Sequence, residues 1–224
     1  MRQRSSHKLF AVTLALAALL IAAAAMEASA ARPAGRNWRS SRYGRKGAEI
    51  WAEFPRVTLP VGAGYREEYD VTEGMGFGFG LMWGISDNFA LEGRVLQTNH
   101  TTGSGDEERE WDIDHIKIGP RFTFLTERRF QPFVGVGWSK LTLERDIGED
   151  ASEDFERLTG YGAYVTAGVD YIHNSQWSAF LRVDYTHGGY GHLTVGLDEE
   201  GLDDPLSGNC VSAAVGVSYR IPAW

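Results

Sequence analysis

From about residue 74 onward the apolar and polar positions of the chain alternate with a period of two. Met75, Phe77, Phe79, Leu81, Trp83 and Ile85 fall on one face, with Gly76, Gly78, Gly80, Met82 and Gly84 on the other. A helix would scatter these aromatics around its circumference, whereas a strand sets them on one side. Phe89, Leu91 and Val95 oppose Glu92 and Arg94 in the next segment. Ile116, Ile118, Pro120, Phe122 and Phe124 then oppose His115, Lys117, Gly119, Arg121 and Thr123. Pro132 to Trp138, Tyr161 to Tyr171, Trp177 to Tyr185 and Val211 to Ile221 repeat the pattern, with Asp170, Arg182, Asp184 and Arg220 on the polar side. Trp111 and Ile113 are out of phase with Ile116, which predicts a bulge near Asp114.

These segments make seven strands. The connections between them alternate in length. Residues 86–88, 126–129 and 174–176 are tight turns, while 99–110, 145–159 and 188–208 are long and polar. Short turns at one rim and long loops at the other, with aromatics near strand ends, describe a transmembrane barrel rather than a water-soluble sandwich. An even strand number is expected, so an eighth strand is placed within 48–65, where Ile50, Ala52 and Phe54 alternate and so do Val57, Leu59 and Val61. Pro55 and Pro60 interrupt that stretch and leave open which half spans. The predicted fold is all-β: an eight-stranded antiparallel up-and-down transmembrane β-barrel with short periplasmic turns and long acidic extracellular loops.

The amino terminus supports export. Arg2, Arg4 and Lys8 precede the apolar stretch from Leu9 to Ala25, and Ala28-Ser29-Ala30 forms a small-residue cleavage site. That order describes a secretory signal peptide over 1–30, cleaved after Ala30. A basic periplasmic segment is expected over 31–47, since 31–46 holds Arg32, Arg36, Arg39, Arg42, Arg45 and Lys46 and no acid. The barrel domain is assigned to 48–224. An exported chain with no further long apolar run is either soluble or a barrel, because only helices and closed barrels satisfy their backbone in lipid.

Composition narrows the remaining classes. Of 224 residues, 22 are Lys or Arg and 30 are Asp or Glu, a net charge of −8 that disfavours nucleic-acid binding. One cysteine, Cys210, leaves no internal disulfide and no Cys-based zinc site. The segments 66–74, 99–110, 145–159 and 188–208 are strongly acidic, and Asp198-Glu199-Glu200 with Asp203-Asp204 is the densest run. Such runs ordinarily solvate an exposed face. A functional alternative is a divalent-cation link to lipopolysaccharide phosphates through oxygen ligands.

The chain resembles the small outer-membrane β-barrel family, with the fold of the OmpA membrane domain and OmpX, in the porin family. The segments that carry the resemblance are Gln131 to Gly137, Ala167 to Tyr171, Gly84 to Leu91, and the ending Val215 to Ile221. The resemblance implies a cell outer-membrane location and a terminal strand read as the assembly signal. Tyr219 and Ile221 fit that alternation, and Pro222-Ala223-Trp224 follow, so Trp224 is a third candidate for the end of the signal. It implies as partners the barrel-assembly machinery, outer-membrane lipid and lipopolysaccharide, and an extracellular surface ligand. A monomer without a peptidoglycan-binding domain is expected.

No nucleophile, phosphate-loop or metal-ligand spacing stands out, so no catalytic residue, cofactor or metal is expected. His187 and His192 lie near a predicted rim, but the His-x-Ser-Asn pattern of lipid A deacylases is absent, and no hydroxyl stands beside His187 as nucleophile. The residues singled out instead are the inward charges Glu92, Arg94, Lys117, Arg121, Asp170, Arg182, Asp184 and Arg220. An eight-stranded barrel is just wide enough to be filled by side chains, so these charges should pair and plug it. Glu92 is expected beside Lys117 and Arg121, and Asp170 and Asp184 near Arg182. The expected role is structural or surface-interactive, in envelope integrity or adhesion. The alternatives are a deacylase-like lipid A-modifying enzyme and a narrow channel or hydrophobic-ligand transporter of the OmpW type.

Overall fold

The computed structural model describes residues 46–58, 71, 73–102, 109–146, 155–196 and 198–221. The expected signal peptide and nearly all of the basic segment, as well as Trp224, lie outside these residues. The strands are β1 (Gly47–Thr58), β2 (Glu73–Gly84), β3 (Phe89–Thr102), β4 (Arg109–Thr123), β5 (Phe130–Asp146), β6 (Phe155–Ile172), β7 (Trp177–Val195), β8 (Asp198–Ser207) and β9 (Cys210–Arg220). From β1 to β7 each strand pairs antiparallel with the next, and β9 closes the ring by pairing with both β7 and β1. The ring therefore has eight strands and no open edge, which is the condition for a sheet to sit in lipid.

Of the nine strands, β8 stands outside the ring. It pairs with Gly189–Val195, the far part of β7. Only Gly208 and Asn209 separate it from β9, and both are tied to Gly188: the Gly208 N–H donates to the Gly188 carbonyl at 2.9 Å, and the Gly188 N–H donates to Asn209 Oδ1 at 3.2 Å. The stretch 188–208 is thus a hairpin continuing past the rim rather than a loop. β3, β4, β5 and β6 likewise run into 99–110 and 145–159. Alternation fades there because most side chains of these extensions are polar, Leu158 excepted, so the pairing leaves little hydrophobic signature.

The connections at residues 85–88, 124–129 and 173–176 define one end of the barrel, here the turn end. Side chains brace them. Ser86 Oγ accepts from the Phe89 N–H at 3.0 Å, and Asn174 Oδ1 accepts from the N–H groups of Gln176 and Trp177, both at 2.8 Å. These are the local side-chain bonds for which Ser and Asn suit turns. The long connections lie at the opposite, far end.

The lipid-facing pattern follows the sequence. Phe79 is 60% exposed, Trp83 59% and Val215 55%, within a belt that also includes Ile50, Leu91, Ile118, Val136 and Leu181. Apolar exposure over a whole circumference would be an aggregation surface in water and is the normal state of a barrel wall in a bilayer. Around the turn end, ring pairs join neighbouring strands: Phe130 with Tyr171 and Trp177 with Tyr219, each with centroids 5.0 Å apart.

One alternative left open by the sequence is decided, and one expectation changes. The first strand is the earlier half of 48–65, beginning at Gly47, with Ile50 and Phe54 facing lipid and Glu49, Trp51, Glu53 and Val57 facing inward. The bulge near Asp114 is absent: β4 pairs with β3 without a shift from Arg109 to Phe122. Trp111 and Ile113 point inward in step with His115 and Lys117 because the lumen itself turns apolar toward the far end. Register shifts occur instead between β6 and β7, where Gly191 is the extra residue opposite the Thr159–Gly160 step, and between β7 and β8, where Tyr190 pairs with Leu206 but His192 with Gly201.

Candidate functional site: the barrel lumen

Every strand of the ring sends alternate side chains into a space that two chemistries divide. The half nearer the turn end holds charge. Glu53, Glu92, Arg94, Lys117, Arg121, Asp170, Arg182 and Asp184 are all at most 3% exposed. Arg94 meets Asp184 at 2.6 Å, and Arg182 meets Glu92 at 2.8 Å; each pair reaches from β3 across to β7. Arg121 bonds Asp170 on β6 and approaches Glu92 at 3.4 Å. Glu53 lies 3.4 Å from Arg182 and 3.7 Å from Arg94, and Lys117 lies 3.7 Å from Asp184. Ser212 Oγ completes the Asp184 carboxylate at 2.9 Å. Four cations thus face four carboxylates, which lets the cluster lose water without carrying a net charge.

Aromatic rings hold the cations in place. The Arg121 guanidinium lies 3.6 Å from the Phe133 ring centre, and Arg182 lies 4.6 Å from Phe180 and 5.2 Å from Trp51. Arg94 and Lys117 flank Tyr164 at 5.3 and 5.4 Å. A planar guanidinium suits this stacking, since it keeps its in-plane donors for carboxylates. Space for the large side chains comes from inward glycines: a Cβ on Gly80 would run into the Trp51 ring, and one on Gly216 into Phe180.

The half nearer the far end is apolar. Val57, Val71, Trp111, Ile113, Leu141, Leu143, Leu158, Tyr190 and Cys210 form one buried cluster, and Leu193, Leu202 and Leu206 from the β7–β8 hairpin pack on it. Above it Arg145 pairs with Glu156 at 2.5 Å, and the same guanidinium lies 4.7 Å from the Trp111 ring. Between the halves lies His115, while His100 is buried level with Trp111 in the apolar half, its Nε2 3.1 Å from Thr98 Oγ1.

All eight inward charges named from the sequence point into the barrel, but their partners differ in part. Lys117 goes to Asp184 and not to Glu92; Asp170 goes to Arg121 and Asp184 to Arg94, while Arg182 takes Glu92 and Glu53. The difference arises because the contacts cross the lumen, and neighbourhood along the sheet does not fix what lies opposite. Arg220 stands apart near the turn end, 3.7 Å from Glu49. Glu49 and Glu53 were missed. Their signal was present, as Glu49, Trp51 and Glu53 alternate with Ile50, Ala52 and Phe54, but the prolines obscured which half of the segment spans. Tyr219 and Ile221 face outward at the turn end. His187 is exposed on the outer wall opposite Ala163, with no hydrogen-bond partner among the described residues. Also among the described residues, no three His, Cys, Asp or Glu side chains gather as a metal site.

A closed ring of eight strands with an apolar exterior and a filled interior defines a small transmembrane barrel. The family profile described as "Outer membrane protein beta-barrel domain" matches residues 13–220, and the chain belongs to that family. Among solved structures it is similar to the outer membrane protein OprG from Pseudomonas aeruginosa, at 15% identity and a TM-score of 0.54, covering 81% of this chain and 99% of that one. It is similar also to Neisserial surface protein A, at 14% identity and TM-score 0.51 over 78% and 96% of the two chains. Ail, the attachment invasion locus protein of Yersinia pestis, matches at 12% identity and TM-score 0.50, over 79% and 100%. At these identities the likeness is one of fold. Among curated protein sequences none matches the chain.

Proposed function

We propose that this outer-membrane barrel is a non-enzymatic protein with a structural or surface-interactive role, its lumen closed by a paired-charge plug beneath an apolar one. The observation that supports this most is the burial of Glu92, Arg94, Lys117 and Asp184 in mutual ion pairs across the barrel, which leaves the lumen filled by side chains. In this reading the turn end faces the periplasm and the β7–β8 hairpin stands outside the cell, by the rule that short turns are periplasmic in such barrels. The hairpin and its acidic edge are then the surface offered to a partner. A non-catalytic role accords with His187 standing on the lipid-facing wall rather than beside a nucleophile. Planar-bilayer recording tests the closed lumen: the unmutated protein should give no steady single-channel conductance, and a well-defined one overturns the plug.

The apolar outer half favours a second reading, in which small apolar molecules enter the compartment lined by Trp111, Leu141, Leu143 and Leu158. Uptake of such molecules into liposomes carrying the protein, faster than into empty liposomes, would favour it over a purely structural role.

A further inference from the structure

Among the described residues, the outward wall of the strands carries a lysine, Lys140, with no carboxylate to answer its charge. Among the described residues, Arg56 pairs with Glu73 at 2.7 Å and Arg157 with Glu144 at 2.6 Å, so those outward cations are neutralised. Lys140 on β5 also faces outward, opposite Ile116 on β4 and Tyr161 on β6, and has no carboxylate within ion-pair distance among the described residues. Directly below it Trp138 stacks on Tyr161, with centroids 5.5 Å apart and planes 24° from parallel. Both rings are about half exposed.

The height of Lys140 gives its surroundings. It lies ten residues along β5 from Phe130, whose ring belongs to the turn-end girdle. At about 3.4 Å per residue on a strand tilted by about 40°, that is about 25 Å along the barrel axis, the height of the apolar band of such barrels. Lys140 therefore stands at the far border of the hydrocarbon, just above an aromatic pair of the kind that marks a membrane interface. A lysine there costs little if its amine meets an anion at the interface.

We infer that Lys140 and the Trp138–Tyr161 stack form a binding site for the phosphorylated headgroup of an outer-leaflet glycolipid. The inference rests on the orientation given above, which places this border in the outer leaflet. The charge is complementary, the position is at headgroup depth, and the lipid already covers this wall. The amine holds a phosphate, while the stacked rings sit at the sugar and upper acyl level.

Native mass spectrometry of the purified full chain released from micelles containing diphosphorylated lipid A tests the site. The unmutated protein should retain the lipid, and Lys140→Gln should retain about fivefold less, the equivalent of about 1 kcal/mol for one basic side chain beside an anionic headgroup. Lys140→Arg should restore retention. Arg157→Gln, which alters a cation already paired, should leave it unchanged. Lipid A stripped of its phosphates should be held equally by the unmutated and Lys140→Gln proteins. Equal retention of phosphorylated lipid A by these two proteins, with both shown folded by heat-modifiable gel migration, overturns the site. Binding of inorganic phosphate alone, lost in Lys140→Gln, overturns the glycolipid as its ligand. Orientation is checked separately by protease added to whole cells: cleavage in the turn 126–129 inverts the barrel without altering lipid retention in micelles.

Discussion

The two halves of the lumen are built by the same strands and hold together by different physics. Near the turn end Glu92 touches three guanidinium groups, and no single pair can be isolated from the rest. Near the far end Leu141 and Leu143 lie fully buried among apolar neighbours and need nothing but close packing. The outer wall is apolar around the ionic half and carries the Arg56–Glu73 and Arg157–Glu144 pairs around the far one. A barrel wall thus demands apolar residues only on its lipid side. The interior is free to be ionic, provided charges balance, or apolar, provided volume is filled.

Substitutions can break this contrast. Removing one member of the ionic half should have the largest effect. Arg182→Ala leaves Glu92 and Glu53 short of a partner and should cost about 3–5 kcal/mol, read from the urea midpoint of the refolded protein in micelles. A loss below about 1 kcal/mol would mean that water, not protein, solvates these carboxylates. Leu141→Ala in the apolar half should cost about 3 kcal/mol through lost burial and a residual cavity. The distinguishing measurement is a hydrophobic replacement: Leu141→Met should recover most of that loss, while Arg182→Met should not recover the first.

Smaller effects sharpen the comparison. Gly80→Ala pushes a methyl group against the Trp51 ring and should cost about 1–3 kcal/mol by overpacking. A Trp51→Leu background should relieve it, and persistence of the full cost there would place the strain in the backbone. Arg157→Gln breaks an exposed pair with Glu144 and should cost under about 1 kcal/mol, shrinking further in high salt. A salt-insensitive loss at Arg157 would show that the strand extensions past the rim are stiffer than their exposure suggests.

Trp111 and Ile113 show where legibility ended. Their sequence signal, apolar residues out of step with Ile116, predicts a bulge wherever inward positions are expected to be polar. The register is unbroken, and the residues are inward and apolar together. β8 was illegible for another reason. Asp198 to Ser207 is acidic and mostly exposed, so its pairing with β7 has no alternation to announce it.

What the sequence determined by itself was the set of faces: which residues meet lipid, which turn inward, and that eight strands close around them. Alternation is a local property of extended backbone, so it survives without knowledge of the partners. The tertiary structure decided the rest. Arg94 and Asp184 are 90 residues apart in the chain and bond across the lumen. Which cation meets which carboxylate depends on how far each strand slides past its neighbour before the ring closes. That stagger is set jointly by all eight strands and is written in no one of them.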